Sequence, residues 1–86
     1  MPAILAATVV SCTVARPVVK IAIVAPFSGI YREIGYQVLN GARIAVKEHN
    51  DNNSNLPQLE LIAFDDAGDP SRAVEQAHKI LADKKV

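Results

Sequence analysis

The chain has 86 residues, half of them apolar and 21% charged, a globular balance far from that of disordered segments. Nine basic and nine acidic side chains cancel, which argues against nucleic acid as a partner, because phosphate binding needs a basic surplus on one face. One cysteine excludes a disulfide framework, the distant His49 and His78 offer no zinc ligand set, and the absence of Trp leaves no aromatic platform for bases or sugars.

Residues 1–15 carry no charge, and every charged side chain lies from Arg16 onward. Ala3–Val10 is continuously apolar or small, too short for a bilayer span of about 20 residues. It has the character of the apolar core of an export signal, without the positive start such signals carry. Val9-Val10-Ser11-Cys12 is a loose lipoprotein box, in which cleavage would leave Cys12 for lipidation. Thr13-Val14-Ala15 is an alternative cleavage site of the A-x-A kind. The expected organisation is therefore a signal-like or lipoprotein-signal-like segment over 1–15 and a folded portion over 16–86.

Val18–Ala25 is rich in β-branched residues and apolar on both alternating faces apart from Lys20. Such a run suits a parallel strand covered on both sides. Pro26 and Gly29 break it. A helix is then expected from Tyr31 or Arg32 to His49, with Ile34, Val38, Ala42, Ala45 and Val46 as its buried stripe. Gly41 inside that helix costs about 1 kcal/mol against Ala, so close approach to a strand is expected there. Asn50–Pro57 is a polar loop.

Gln58–Phe64 reads as the second strand, ending in Asp65-Asp66. Asp69 is placed to cap a second helix, with Pro70 at the first helical position, where its missing N–H costs nothing. Ala73, Val74, Ala77, Ile80 and Leu81 form the expected stripe of that helix. Strand, helix, strand, helix means an α/β fold: a βαβα start of a doubly wound parallel sheet. Two strands leave this sheet incomplete, with an open apolar edge, so the segment reads as part of a larger domain.

The loop Ala25–Gly29 lacks both the dinucleotide fingerprint and the phosphate loop. Ser28 precedes a glycine but has no nucleophile elbow and no His–Asp pair, which leaves it as a helix cap or a ligand contact. Asp65, Asp66 and Asp69 could hold Mg²⁺ in a doubly wound α/β protein, but a turn with a helix cap explains them more simply. Asp51-x-Asn53-x-Asn55 opens like a calcium loop, yet Leu56 and Ile62 stand where Gly and Glu are required. Asn52-Asn53-Ser54 is a glycosylation acceptor only on a eukaryotic secretory route. His49 and His78 read as solvated helix residues.

The stretch Lys20-Ile-Ala-Ile-Val-Ala-Pro-Phe-Ser-Gly29, then Gly35, then Asn40-Gly41-Ala42-Arg43-x-Ala45, resembles the start of a type I periplasmic solute-binding protein. The nearest branch is the leucine/isoleucine/valine-binding group that serves ABC importers. Asp65-Asp66-x-x-Asp69-Pro70-x-x-Ala73-x-x-x-Ala77 is similar to the same family's second strand and helix. The resemblance runs over residues 18–86.

It implies a two-lobed, non-enzymatic, cofactor-free protein that closes on a small ligand such as a branched-chain amino acid or amide. Residues 16–86 would be the first half of its N-terminal lobe. Its partners would be an ABC permease and ATPase, and its place the periplasm or, through Cys12, the outer face of the cell membrane. Ser28 and Gly29 match the motif of a cleft-lining loop. Ile34 stands where the family often has an aromatic covering the ligand, and Tyr31 is the candidate to fill that space. A ligand-sensing receptor domain of the same fold is the alternative use.

Overall fold

The computed structural model describes residues 16–86 as β1 (Val18–Ala25), α1 (Arg32–Asn52), β2 (Gln58–Asp65) and α2 (Pro70–Ala82). Cys12 and the signal-like segment over 1–15 lie outside the described residues. The strands form a two-stranded parallel sheet, in register from Val18 opposite Gln58 to Ala25 opposite Asp65. α1 supplies the crossover that a parallel pair requires. The expected βαβα order holds, with β2 one residue longer than expected and α1 continuing past His49 to Asn52.

The start of the sheet is stitched by side chains that sequence patterning does not flag. The Arg16 guanidinium donates to the carbonyls of Leu56 (3.0 Å), Asn50 (3.2 Å) and Asn53 (2.6 Å). It thereby satisfies carbonyls that the end of α1 leaves orphaned and sets a positive charge at the negative end of the helix. The Gln58 N–H reaches Pro17 O across the sheet at 2.8 Å, so the N–H of the next residue, Leu59, points to the opposite edge. Asn50 meets it there, accepting from Leu59 N at 2.8 Å and donating to Leu59 O at 2.9 Å. One amide side chain thus imitates a neighbouring strand. His49 is half-buried rather than solvated, its Nε2 lying 3.2 Å from Pro57 O.

The apolar faces are far less complete. Among the described residues only Ala25 (7% exposed) and Leu39 (6%) are buried hydrophobics. The sheet-facing line of α1 is Gly35, Leu39, Ala42, Val46 and Asn50, all buried or half-buried. This is rotated from the expected stripe: Ile34, Val38 and Ala45 are exposed, and so is Ile44 at 66%. The reason is Gly35. A Cβ built there would lie 1.8 Å from Pro26 O, so this glycine lets the helix turn its small side against the loop after β1. Gly41 has nothing within 4 Å, and the close strand approach expected at that position falls at Gly35 instead. On α2, Ala73, Gln76 and Ile80 are half-buried, whereas Val74, Ala77 and Leu81 are exposed.

Candidate functional site

Parallel strands of one sheet deliver their following loops to the same end, and open α/β sheets bind ligands beyond that end. Here the loop after β1 and the turn after β2 are tied together by Asp65, the last residue of β2. Its Oδ1 accepts from Phe27 N and from Ala67 N, both at 2.8 Å. Its Oδ2 accepts from the Ser28 hydroxyl at 2.6 Å. The Ser28 hydroxyl, and then the N–H groups of Phe27 and Ala67, hold the half-buried Asp65 carboxyl down at about 2.

The neighbouring turn is equally determined. Asp66 N donates to Ala25 O at 3.1 Å, and Asp69 N donates to Asp66 O at 2.8 Å. Asp66 Oδ1 accepts from Gly68 N at 2.8 Å. These bonds sustain a positive φ of 52° at Ala67, beside 73° at Gly68, a region that non-glycine residues enter at a cost. Asp69 caps α2 as expected, accepting from Ser71 N at 2.9 Å with Pro70 at the first helical position. Gln76 of α2 reaches back to Asp65 O at 3.1 Å.

All three acidic side chains are therefore engaged by backbone or hydroxyl donors, in turn and cap roles. Among the described residues no three His, Cys, Asp or Glu side chains converge as a metal-binding group. Nothing here favours the Mg²⁺ alternative.

Of the candidate ligand residues, Ser28 is exposed and held by Asp65; it does not cap α1, whose N-cap is Tyr31 with no side-chain cap bond. Gly29 takes φ +83°, and a Cβ on it would lie 3.5 Å from Ala67 O, so the two loops touch there. Tyr31 lays its ring against Gly68, where an added Cβ would meet Cδ2 at 3.0 Å. Ile34 lies one turn into α1 and is 56% exposed. Phe27 packs edge-on against Tyr36, with centroids 5.7 Å apart. An open depression of about 390 Å³ beside the loop is lined by Gly29, Ile30, Arg32 and Glu33. A second open groove, about 440 Å³, runs between α1 and the first half of β2, away from the loop end. Asp65 is the organising residue that the motif reading left as merely structural. Its position as the last strand residue, opposite a loop containing Ser, was the available signal.

The periplasmic binding protein family model matches residues 18–86, the whole of the βαβα unit. The chain belongs to that family. Its members bind solutes rather than transform them. Among its relatives is the Leu/Ile/Val-binding protein BraC3 of Rhizobium johnstonii, 33% identical over 84 residues, 96% of this chain and 23% of that protein. Another is the leucine-, isoleucine-, valine-, threonine- and alanine-binding protein of Pseudomonas aeruginosa, 35% identical over 74 residues, 85% of this chain and 20% of that protein. No solved structure gives a significant match. The chain thus spans about a fifth of the length of these relatives.

Proposed function

We propose that this segment is the start of the N-terminal lobe of a solute-binding protein that supplies an ABC importer with a branched-chain amino acid or a related amide. The observation that carries the reading is the agreement of the family match over residues 18–86 with two relatives named for branched-chain amino acid binding. The geometry is compatible with it: the loops after both strands are joined at the end of the sheet where α/β folds take ligands. Ser28, Gly29, Tyr31 and Ile34 are the residues assigned to this lobe's side of the cleft. The remaining ligand contacts belong to sequence outside these 86 residues.

Export to the periplasm, with Cys12 as a lipid-anchoring residue, belongs to the same proposal. Calorimetric titration of the full-length protein that carries this segment, with leucine, isoleucine, valine and a panel of small amides, tests the reading. Saturable micromolar or tighter binding is expected, and absence of binding across the panel overturns it. Metabolic labelling with a radioactive fatty acid tests the anchor. Incorporation is expected, and is abolished by Cys12→Ser.

A further inference from the structure

The hydrogen bonds of β2 assign each of its backbone groups to one of its two edges. Gln58 N donates to Pro17 O at 2.8 Å and Asp66 N to Ala25 O at 3.1 Å, so the even-numbered residues face β1. Leu59, Leu61, Ala63 and Asp65 therefore turn their N–H and C=O groups to the outer edge. Among the described residues no other strand pairs there.

Two side-chain amides, one from each helix, sit on this edge near its two ends. Asn50 of α1 fills both outward groups of Leu59, accepting from N at 2.8 Å and donating to O at 2.9 Å. Gln76 of α2 donates to Asp65 O at 3.1 Å. Asn50, Gln76 and Leu59 are all half-buried, so neither amide is a loose surface group. Between them lie Leu61 and Ala63, whose outward groups take no side-chain bond among the described residues.

An open strand edge is a template for another chain. The matching strand nearest to hand is the same edge of a second copy, brought up about a twofold axis. Such a pairing needs a run of consecutive outward groups, and the amides interrupt that run at both ends.

We propose that Asn50 and Gln76 guard the outer edge of β2: by occupying its outward backbone groups they leave too little ladder for a second copy of this chain to join. Asn50 is the stronger guard, because it fills a donor and an acceptor where Gln76 fills one acceptor. The guarded edge runs along the side of the sheet, away from the loop end, so the proposal is independent of the solute-binding reading.

The test is sedimentation velocity of the full-length protein that carries this segment, over a range of loading concentrations, with circular dichroism to confirm that each variant is folded. Asn50→Ala removes both amide bonds and keeps the Arg16 contact, which is to the Asn50 backbone carbonyl. It should self-associate at least about tenfold more tightly than the parent, the scale of two added hydrogen bonds. Adding Gln76→Ala should tighten the association further. Asn50→Asp keeps an acceptor for Leu59 N and sets a charge on the edge, which blunts strand pairing, and should sediment as the parent does. Ala63→Pro combined with Asn50→Ala deletes an outward N–H without breaking a bond to β1, and should restore the parent's behaviour.

A folded Asn50→Ala that sediments as the parent at every loading overturns the proposal. So does association that Ala63→Pro leaves unchanged, because the contact then lies on another surface. Where Asn50→Ala fails to fold, amide hydrogen exchange of the parent decides. Slow exchange at Leu59 with fast exchange at Leu61 and Ala63 is expected. Slow exchange at all three, or fast exchange at all three, overturns the proposal, since the edge is then covered by something else or not held by Asn50.

Discussion

The two ends of the sheet and its middle have been finished to different degrees. At the start, Arg16 and Asn50 satisfy carbonyls and an edge N–H; at the finish, Asp65 and Asp66 satisfy the loops. No buried side-chain polar atom lacks a partner among the described residues. Between these ends the apolar faces stay open, with Ile44 and Leu81 (82%) largely exposed. Hydrogen bonds at strand ends are local and close within one βαβα unit. Hydrophobic burial needs layers on both sides of a parallel sheet, which one βαβα unit does not supply. The described residues thus pair complete local hydrogen bonding with apolar faces left open.

The sharpest way to break this comparison is at Gly35, where the loop end and the apolar middle meet. An alanine Cβ there would collide with backbone, 1.8 Å from Pro26 O and 2.6 Å from Pro26 C, and backbone cannot swing aside as a side chain can. Gly35→Ala is expected to destabilise the full-length protein by about 3 kcal/mol or more, the upper range for overpacking. Chemical denaturation reads this directly. A loss below about 1 kcal/mol would mean that α1 is free to move off the loop.

The next effect is specific to the loop end. The Asp65 carboxyl sits at about 2, below its ordinary 3.8, because Ser28, Phe27 and Ala67 donate to its ionised form. A depressed carboxyl stabilises the fold fully above its unfolded value and loses that contribution as pH falls through its folded value. The clamp is therefore complete above about pH 4 and fades between pH 3.8 and about 2. Thermal unfolding across that window should show a smaller acid-induced drop for Asp65→Asn than for the parent. Parallel pH curves would remove the clamp from the account.

Much of this architecture was legible in the sequence. The apolar run Val18–Ala25 and the Asp69-Pro70 start of α2 fix their elements through local chemistry alone, and both appear where expected. The buried face of α1 was not legible. This helix is apolar over more than one face, and periodicity cannot tell which face meets this sheet when Gly35, with no side chain to register as hydrophobic, decides it. Nor were Arg16 and Asn50, since their partners are backbone carbonyls and an edge N–H brought close only by the crossover. At the candidate site the motif pointed to Ser28 and Gly29. The role of Asp65 required knowing that β1 and β2 end side by side.

The smallest predicted effect concerns the open middle itself, and its sign carries the information. Gly41 lies mid-helix on the exposed side of α1, along the line of Ile34, Val38 and Ala45, with nothing within 4 Å. In these 86 residues alone, replacing it by alanine relieves the glycine penalty and should raise helix stability by about 1 kcal/mol, seen as higher helicity by circular dichroism. A second apolar face on one helix calls for another layer, so in the full-length protein the exposed line of Val38 and Ala45 is expected to be covered. A glycine within that face admits the covering element closely, and an added methyl there intrudes on it. Gly41→Ala should therefore destabilise the full-length protein by about 1 kcal/mol or more while it stabilises the short chain. The same sign in both would mean that this face of α1 stays open to solvent in the complete lobe, and that its apolar side chains serve something other than the core.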